Sequence, residues 1–448
     1  MTGTEDMTGQ EEALSPESGR IDVISMGCSK NLVDSERMLR RLEAKGYHAV
    51  HDPEDPRGAW VVVNTCGFIG DAKEESINLI LELIEAKQEG RIGNIAVMGC
   101  LAERYLKELE EEIPEVDRWY GKFNWNAFID DLPDLTAEPE TPTVWDRTLT
   151  TPGWSAYMKV SEGCDRFCAF CAIPLITGRH TSRPVEEILA ETRDLVARGV
   201  KEFNVIAQDL SSYGKDLYGE PRLARLIDAM AEIPGVEWIR LHYAYPSDFP
   251  YDILEVMRRR PNVCNYLDVA LQHVSDNVLT NMRRHISKEE TLQFIGRLRG
   301  EVPGIRIRTT LMVGFPGEGE KEFAELLEFV REARFDRMGA FAYCEEEGTW
   351  AARHLDDSIP DDVKRRRLSL LMEVQENIAL ELNEQLVGSR VRVLVERREG
   401  ADCVGRTEWD SPEVDPEVII RDCDAAPGTF INVEIDEALP FELIGHAV

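Results

Sequence analysis

At 448 residues the chain is too long for one hydrophobic core, and its 43% hydrophobic, 30% charged composition is that of a soluble globular protein of about two to four domains. No apolar run approaches a membrane span, and the polar, acidic N-terminus has neither the basic start nor the apolar stretch of a secretory signal, so a cytoplasmic location is expected. With 84 acidic against 51 basic residues the formal net charge is −33, which disfavours nucleic acid as a direct substrate and favours a basic protein partner.

In chain order, residues 1–20 are rich in Glu, Ser, Gly and Thr and are expected to be a disordered acidic tail. Three apolar, β-branched runs follow: IDVIS at 21–25, WVVVNT at 60–65 and NIAVM at 94–98. Helical patterns separate them, as in Ser76 to Ala86 with Ile77, Ile80, Leu81 and Ile84 on one face, so residues 21–131 read as an α/β domain with a parallel sheet. The proline-punctuated segment 132–151 reads as a linker.

From residue 152 the alternation resumes. Candidate strands lie at 156–161, 203–208, 237–243, 266–272, 305–313 and 338–344, with a clear helix opening at Pro184 and stopping before Gly199. Six βα units predict a partial (β/α)6 barrel, whose chemistry belongs on the loops after the strands. A long amphipathic helix from about Asp361 to Leu386 closes this domain at 387. Residues 388–448 change to short strands and polar turns, a small all-β barrel with fourteen acidic residues against six Arg and no Lys.

Ten cysteines in a chain with no secretory signal are better read as ligands or core residues than as disulfides. Cys164, Cys168 and Cys171 form C-x3-C-x2-C directly after the first barrel strand, in SEGCDRFCAFC. Three thiolates without a nearby fourth ligand suit a 4Fe-4S cluster with one open iron better than a structural zinc. This spacing, with Phe170 before the last cysteine, resembles the radical S-adenosylmethionine (SAM) signature. Cys28, Cys66 and Cys100 each follow one of the three N-terminal strands, where parallel strand ends converge, and are read as a second ligand trio. Cys264, Cys344, Cys403 and Cys423 lack any such pattern and are expected to be core or surface thiols.

The runs MGCSKNLVDSERM, VVNTCGFI, GCLAERY, KVSEGCDRFCAFCAIP, AQDLSSYG, RLHYAYP, LQHVSDNVLTNMRR, VGFPGE and EGTWA, spread over nearly the whole chain, resemble the methylthiotransferase family of radical SAM enzymes. Within it the chain is most similar to the branch that modifies the β-carbon of an aspartate in small-subunit ribosomal protein S-twelve; the tRNA-modifying branch and a plain iron-sulfur electron carrier are the alternatives. The resemblance implies two 4Fe-4S clusters, SAM as co-substrate, a C-terminal TRAM module, and an electron donor such as flavodoxin or ferredoxin. One cluster would cleave SAM to make a 5′-deoxyadenosyl radical, and the other would hold the sulfur to be methylated and delivered. It also implies SAM contacts at Gln208 and Asp209, at Gln272 and His273, and at Gly314, Gly317 and Glu318. Asn31, Asp34 and Ser35 are expected either to cap a helix or to brace the cluster. The TRAM module is expected to close over the cavity and to offer its acidic stretch, 405–418, to the basic substrate.

Overall fold

The computed structural model describes residues 16–448, so the expected disorder of residues 1–15 falls outside the described residues. The chain divides into two compact units, residues 1–148 and 149–448.

The first unit is built on a five-stranded parallel sheet with β1 (Glu17–Ser25), β2 (His48–His51), β3 (Gly58–Thr65), β4 (Asn94–Gly99) and β5 (Arg118–Trp119) in the order β2-β1-β3-β4-β5. β1 starts at Glu17, so residues 17–20 are strand and not tail. Helices α1 (Ser29–Ala44), α2 (Gly70–Gln88), α3 (Cys100–Glu112) and α4 (Asn126–Asp131) complete the unit. Val61 and Val63 pack in one core with Ile80 and Leu101, while Val62 packs in another with Leu39 and Phe128. A strand buried on both faces explains why β3 reads as an unbroken apolar run. Order 2-1-3 places the topological switch between β1 and β3, where open α/β sheets bind ligands at the strand ends.

The segment read as a linker is tied down along most of its length. Leu135 donates its amide to the Lys45 carbonyl at 2.8 Å, Tyr47 donates its hydroxyl to the Pro133 carbonyl at 2.9 Å, and buried Arg147 pairs with buried Glu36 on α1. These contacts extend the first unit to Thr148.

The second unit begins with six parallel strands in sequential order: β6 (Ser155–Lys159), β9 (Glu202–Ile206), β10 (Trp238–Ala244), β11 (Val263–Gln272), β12 (Arg306–Val313) and β13 (Arg337–Ala342). A short antiparallel ribbon, β7 (Ser161–Glu162) with β8 (Thr181–Ser182), brackets the first cysteine loop. The strands' outward residues, among them Met158, Phe203, Val205, Ile239 and Leu241, share one core with helices such as Val185–Ala197 and Glu320–Ala333. The result is the expected open six-unit barrel. A helix at Asp361–Glu384 leads to a closed five-stranded barrel of β14 (Arg390–Glu399), β15 (Asp402–Thr407), β16 (Glu417–Arg421), β17 (Phe430–Ala438) and β18 (Glu442–Ala447).

This small barrel does not lie over the strand ends that carry the cysteines, contrary to the sequence-based expectation. It packs against the opposite, N-terminal ends of the large barrel's strands. Arg406 donates to Glu202 at 2.8 Å, and Arg240 donates to the same carboxylate and to the carbonyls of Thr407 and Glu408. Arg337 holds Asp410 at 2.7 Å, Arg308 holds Asp415 at 3.1 Å, Tyr266 donates to Asp415, and Trp238 meets Phe430 edge to face. Much of the acidic stretch expected to face a partner is therefore used internally. The cause is that inward-facing arginines at the barrel base need counter-charges, and the stretch supplies them.

Burial on its own would push the Glu202 carboxyl up, yet Arg406 and Arg240 hold it far below the ordinary glutamate value. Its ionisation therefore adds stability at neutral pH. That contribution starts to fall once the pH drops below about 4.5, where the unfolded chain takes up a proton that the folded one refuses. Glu202→Ala leaves the buried Arg240 guanidinium without a carboxylate and takes one of two from Arg406, which keeps Glu396, and is expected to cost about 3–5 kcal/mol in urea unfolding at pH 7; a loss under about 1 kcal/mol would show that the pair is not structural.

Candidate functional site

In the first unit each candidate cysteine stands at a strand-to-helix junction. Cys28 precedes α1, Cys66 follows β3 and Cys100 opens α3. The positive end of a helix favours a thiolate there. The register pairs Ser25 with Asn64 and Thr65 with Gly99, so the three strand ends lie level. Gly27 has φ +87°, and a Cβ on it would sit 2.8 Å from the Cys66 sulfur; one on Gly67 would strike the Leu101 amide at 2.6 Å. Only glycine lets the three chains approach this closely. Burial pushes the Cys66 thiol up, its own loop amides offset part of this, and nearby Cys28 adds to the rise.

Asn31 braces this edge and does not cap α1. Its amide donates to the carbonyls of Met26 at 3.1 Å and Thr65 at 3.0 Å, and its carbonyl oxygen faces the Cys100 sulfur at 3.5 Å. Buried Lys122 donates to Asn31 and, at 2.8 Å, to Asp34, while Ser35 accepts from Asn64. Lys122 was not singled out from the sequence, because it lies 91 positions from Asn31 in a stretch without a motif.

In the second unit the loop from Gly163 to Thr177 folds back between β7 and β8. Burial pushes the Cys164 thiol up to about 12, offset in part by the Arg166 amide and raised further by neighbours that include Cys168. Cys171 is likewise pushed up, by burial first and then by Cys168 and Cys164. Such thiols ionise only with positive charge beside them. Among the described residues, no three Cys, His, Asp or Glu side chains are grouped to hold a single metal ion. A cubane cluster spreads its irons over separate corners, so its thiolates stand farther apart than the ligands of one tetrahedral zinc. Of the other cysteines, Cys264, Cys403 and Cys423 are buried and Cys344 is exposed.

The residues expected at SAM fall into two groups. Asp209 is buried and accepts from Arg166 at 2.7 Å, Ser212 at 2.6 Å and the Ser211 amide at 3.0 Å. His273 accepts from the Ser275 amide through Nδ1 and faces Glu318 through Nε2 at 3.2 Å. Glu318 also accepts from the Gly314 amide at 3.0 Å and from Arg367 at 2.8 Å. These three side chains brace the loops after their strands. Gly314 and Gly317 shape one such loop with φ values of +76° and +97°. Gln208 and Gln272 instead keep buried side-chain oxygens without a protein partner, which leaves them open to a ligand. Sequence reading also missed Arg284 and Tyr245 beside Cys168, although both lie in runs that carry the resemblance, LQHVSDNVLTNMRR and RLHYAYP.

Comparisons with known proteins agree with this arrangement. Residues 158–330 match the radical SAM superfamily, residues 20–121 the uncharacterized protein family UPF0004, and residues 387–448 the TRAM domain. The fold is similar to that of the radical SAM methyltransferase TsrM from Kitasatospora setae, at TM-score 0.55 and 14% identity over 84% of this chain and 79% of that one. The chain is thus a radical SAM enzyme, and its cofactors are SAM and 4Fe-4S clusters. It is 58% identical over 96% of its length to the ribosomal protein uS12 methylthiotransferase RimO of Bacteroides fragilis, covering 99% of that protein, and 48% identical to that of Flavobacterium johnsoniae over 95% and 98%. The chain belongs to the RimO methylthiotransferase family.

Glu318→Ala takes from Arg367 its buried carboxylate, leaving only the exposed Glu320, and removes the partner of His273 Nε2, so it should lower stability by about 3 kcal/mol, read as a fall in the melting temperature of the iron-free chain. An unchanged melting temperature would show that the carboxylate is not structural.

Proposed function

We propose that this enzyme adds a methylthio group to the β-carbon of an aspartate in ribosomal protein uS12, in the cytoplasm, with electrons from a flavodoxin or ferredoxin. Cys164, Cys168 and Cys171 hold the cluster that serves SAM, and Cys28, Cys66 and Cys100 hold the second. The observation that carries the reading is two cysteine trios, each gathered at the C-terminal ends of parallel strands, in a member of the RimO family. When bound, the clusters supply the electron that splits SAM and a site for the transferred sulfur.

The protein's own residues do the rest. The Gln208 and Gln272 side chains offer acceptors toward SAM, and the Gly314–Glu318 turn fixes the loop beside them. The apolar ring contacts of Phe170, Phe315 and Tyr343 keep water away from the cysteine loop. A basic substrate suits the charge of this chain, and the first unit adds a groove beside Gly27 lined by Asp52, Glu54, Asp55, Asp71, Glu74 and Glu75, with Arg91 its one base. Among the described residues, no helix is long and apolar enough to cross a membrane.

Replacing Cys164, Cys168 or Cys171 singly by Ala should abolish reductive cleavage of SAM, whereas a triple Cys28, Cys66, Cys100→Ala chain should still cleave SAM, lose about half its iron and form no methylthio product. Unchanged iron in the triple variant would remove those cysteines as ligands. Offered uS12 and tRNA together, the reconstituted enzyme should add the methylthio mass to uS12 alone, with turnover falling as salt screens the attraction. Modified adenosine with untouched protein would overturn the substrate assignment.

A further inference from the structure

Arg284 is a buried guanidinium, 3% exposed, without a carboxylate partner: among the described residues no Asp or Glu lies within ion-pair distance of it. Its Nη1 instead donates to the Cys168 sulfur at 3.3 Å. The guanidinium is held in place from several sides. Nη2 donates to the Ala270 carbonyl, the plane lies 4.1 Å from the centre of the Tyr245 ring, and the Tyr245 hydroxyl donates at 2.7 Å to the Arg284 carbonyl. The same hydroxyl is 3.8 Å from the Cys168 sulfur. Arg166 stacks on Tyr245 as well, at 4.2 Å, but its charge is matched by Asp209. Nε of Arg284 is buried and has no partner.

Elsewhere in this unit buried arginines meet carboxylates: Arg240 and Arg406 meet Glu202, Arg337 meets Asp410, and Arg367 meets Glu318. A buried cation with no anion is costly, so an arrangement that pins one against a thiol implies that negative charge collects there when the site is filled. A cluster held by three thiolates is negative, and taking up one electron from a low-potential donor adds a further unit of negative charge with no bond made or broken. A fixed positive charge and an N–H donor on a ligand sulfur favour the more negative state, and a low-dielectric interior strengthens the effect.

We propose that Arg284, oriented by Tyr245, is the positioning residue that sets the reduction potential of the radical cluster, by holding a permanent positive charge and a hydrogen bond on the Cys168 thiolate. This rests on Cys164, Cys168 and Cys171 being the ligands. Arg284 touches neither SAM nor the protein substrate in this role and acts through the cluster.

The test uses the full-length chain with Cys28, Cys66 and Cys100 replaced by Ala, reconstituted with iron and sulfide so that one cluster contributes, and titrated with dithionite while the reduced state is followed by electron paramagnetic resonance. Arg284→Gln keeps a donor and removes the charge. It should load the same iron and show the reduced-to-oxidised ratio at a given potential down by about tenfold, a shift of about 59 mV to lower potential. Arg284→Lys should restore most of that difference. Equal iron and an equal midpoint in Arg284→Gln would overturn the proposal. If Arg284→Gln remains folded by circular dichroism yet takes up no iron, Arg284→Lys is read in its place by the same criterion as for an unfolded variant. If Arg284→Gln unfolds, Arg284→Lys decides: a full complement of iron with the parent midpoint supports the proposal, and full iron with a midpoint about tenfold down overturns it. Full iron retention in Cys168→Ala would instead remove the cluster assignment itself, a failure separate from that of Arg284.

Discussion

Parallel strands joined by helices all end on the same edge of their sheet, and both cysteine trios depend on that single constraint. In the first unit it brings together three residues that lie 38 and 34 positions apart in the chain, Cys28, Cys66 and Cys100. In the second it sets the Cys164–Cys171 loop level with Gln208, Gln272 and the turn at Gly314. The helices that follow the N-terminal cysteines add a favourable field for thiolates, so backbone geometry prepares the site before any side chain does.

Charge is handled differently at the two ends of the large barrel. At the base, arginines from three strands are matched by Glu202 and by acids of the small barrel, a closed set. At the rim, Arg284 has no such match and faces sulfur. Closed sets hold domains together, whereas an unmatched charge in a protein interior marks a place prepared for something the chain itself does not contain. The unpartnered oxygens of Gln208 and Gln272 point the same way.

Most of the fold could be read from the sequence because its strands are apolar on both faces and its helices strongly periodic. β2 and β5, of four and two residues, are too short to leave a pattern. In β15 Arg406 turns inward to meet Glu202, which breaks the apolar alternation that a strand pattern relies on. The two cysteine trios were legible from spacing and position after strands. The second layer around them was not: Lys122, Tyr245 and Arg284 act through contacts made across 77 to 116 positions of chain, and no local pattern encodes those. The acidic stretch was misjudged for a related reason. Composition reports the sign of a charge but not whether an arginine on another domain has already claimed it.

The placement of the small barrel bears on how freely this module can be exchanged. A domain joined by a flexible tether can be swapped between proteins with little regard to its host. Here the tether is a continuous helix, and the loop from Thr407 to Asp415 forms part of the floor of its neighbour. A module from another enzyme would have to bring an aspartate for Arg337, another for Arg308 and an arginine for Glu202, each in register. Evolution of the two domains is therefore coupled at the barrel floor, and a change of substrate class made by replacing the β-module alone would have to rebuild that floor as well.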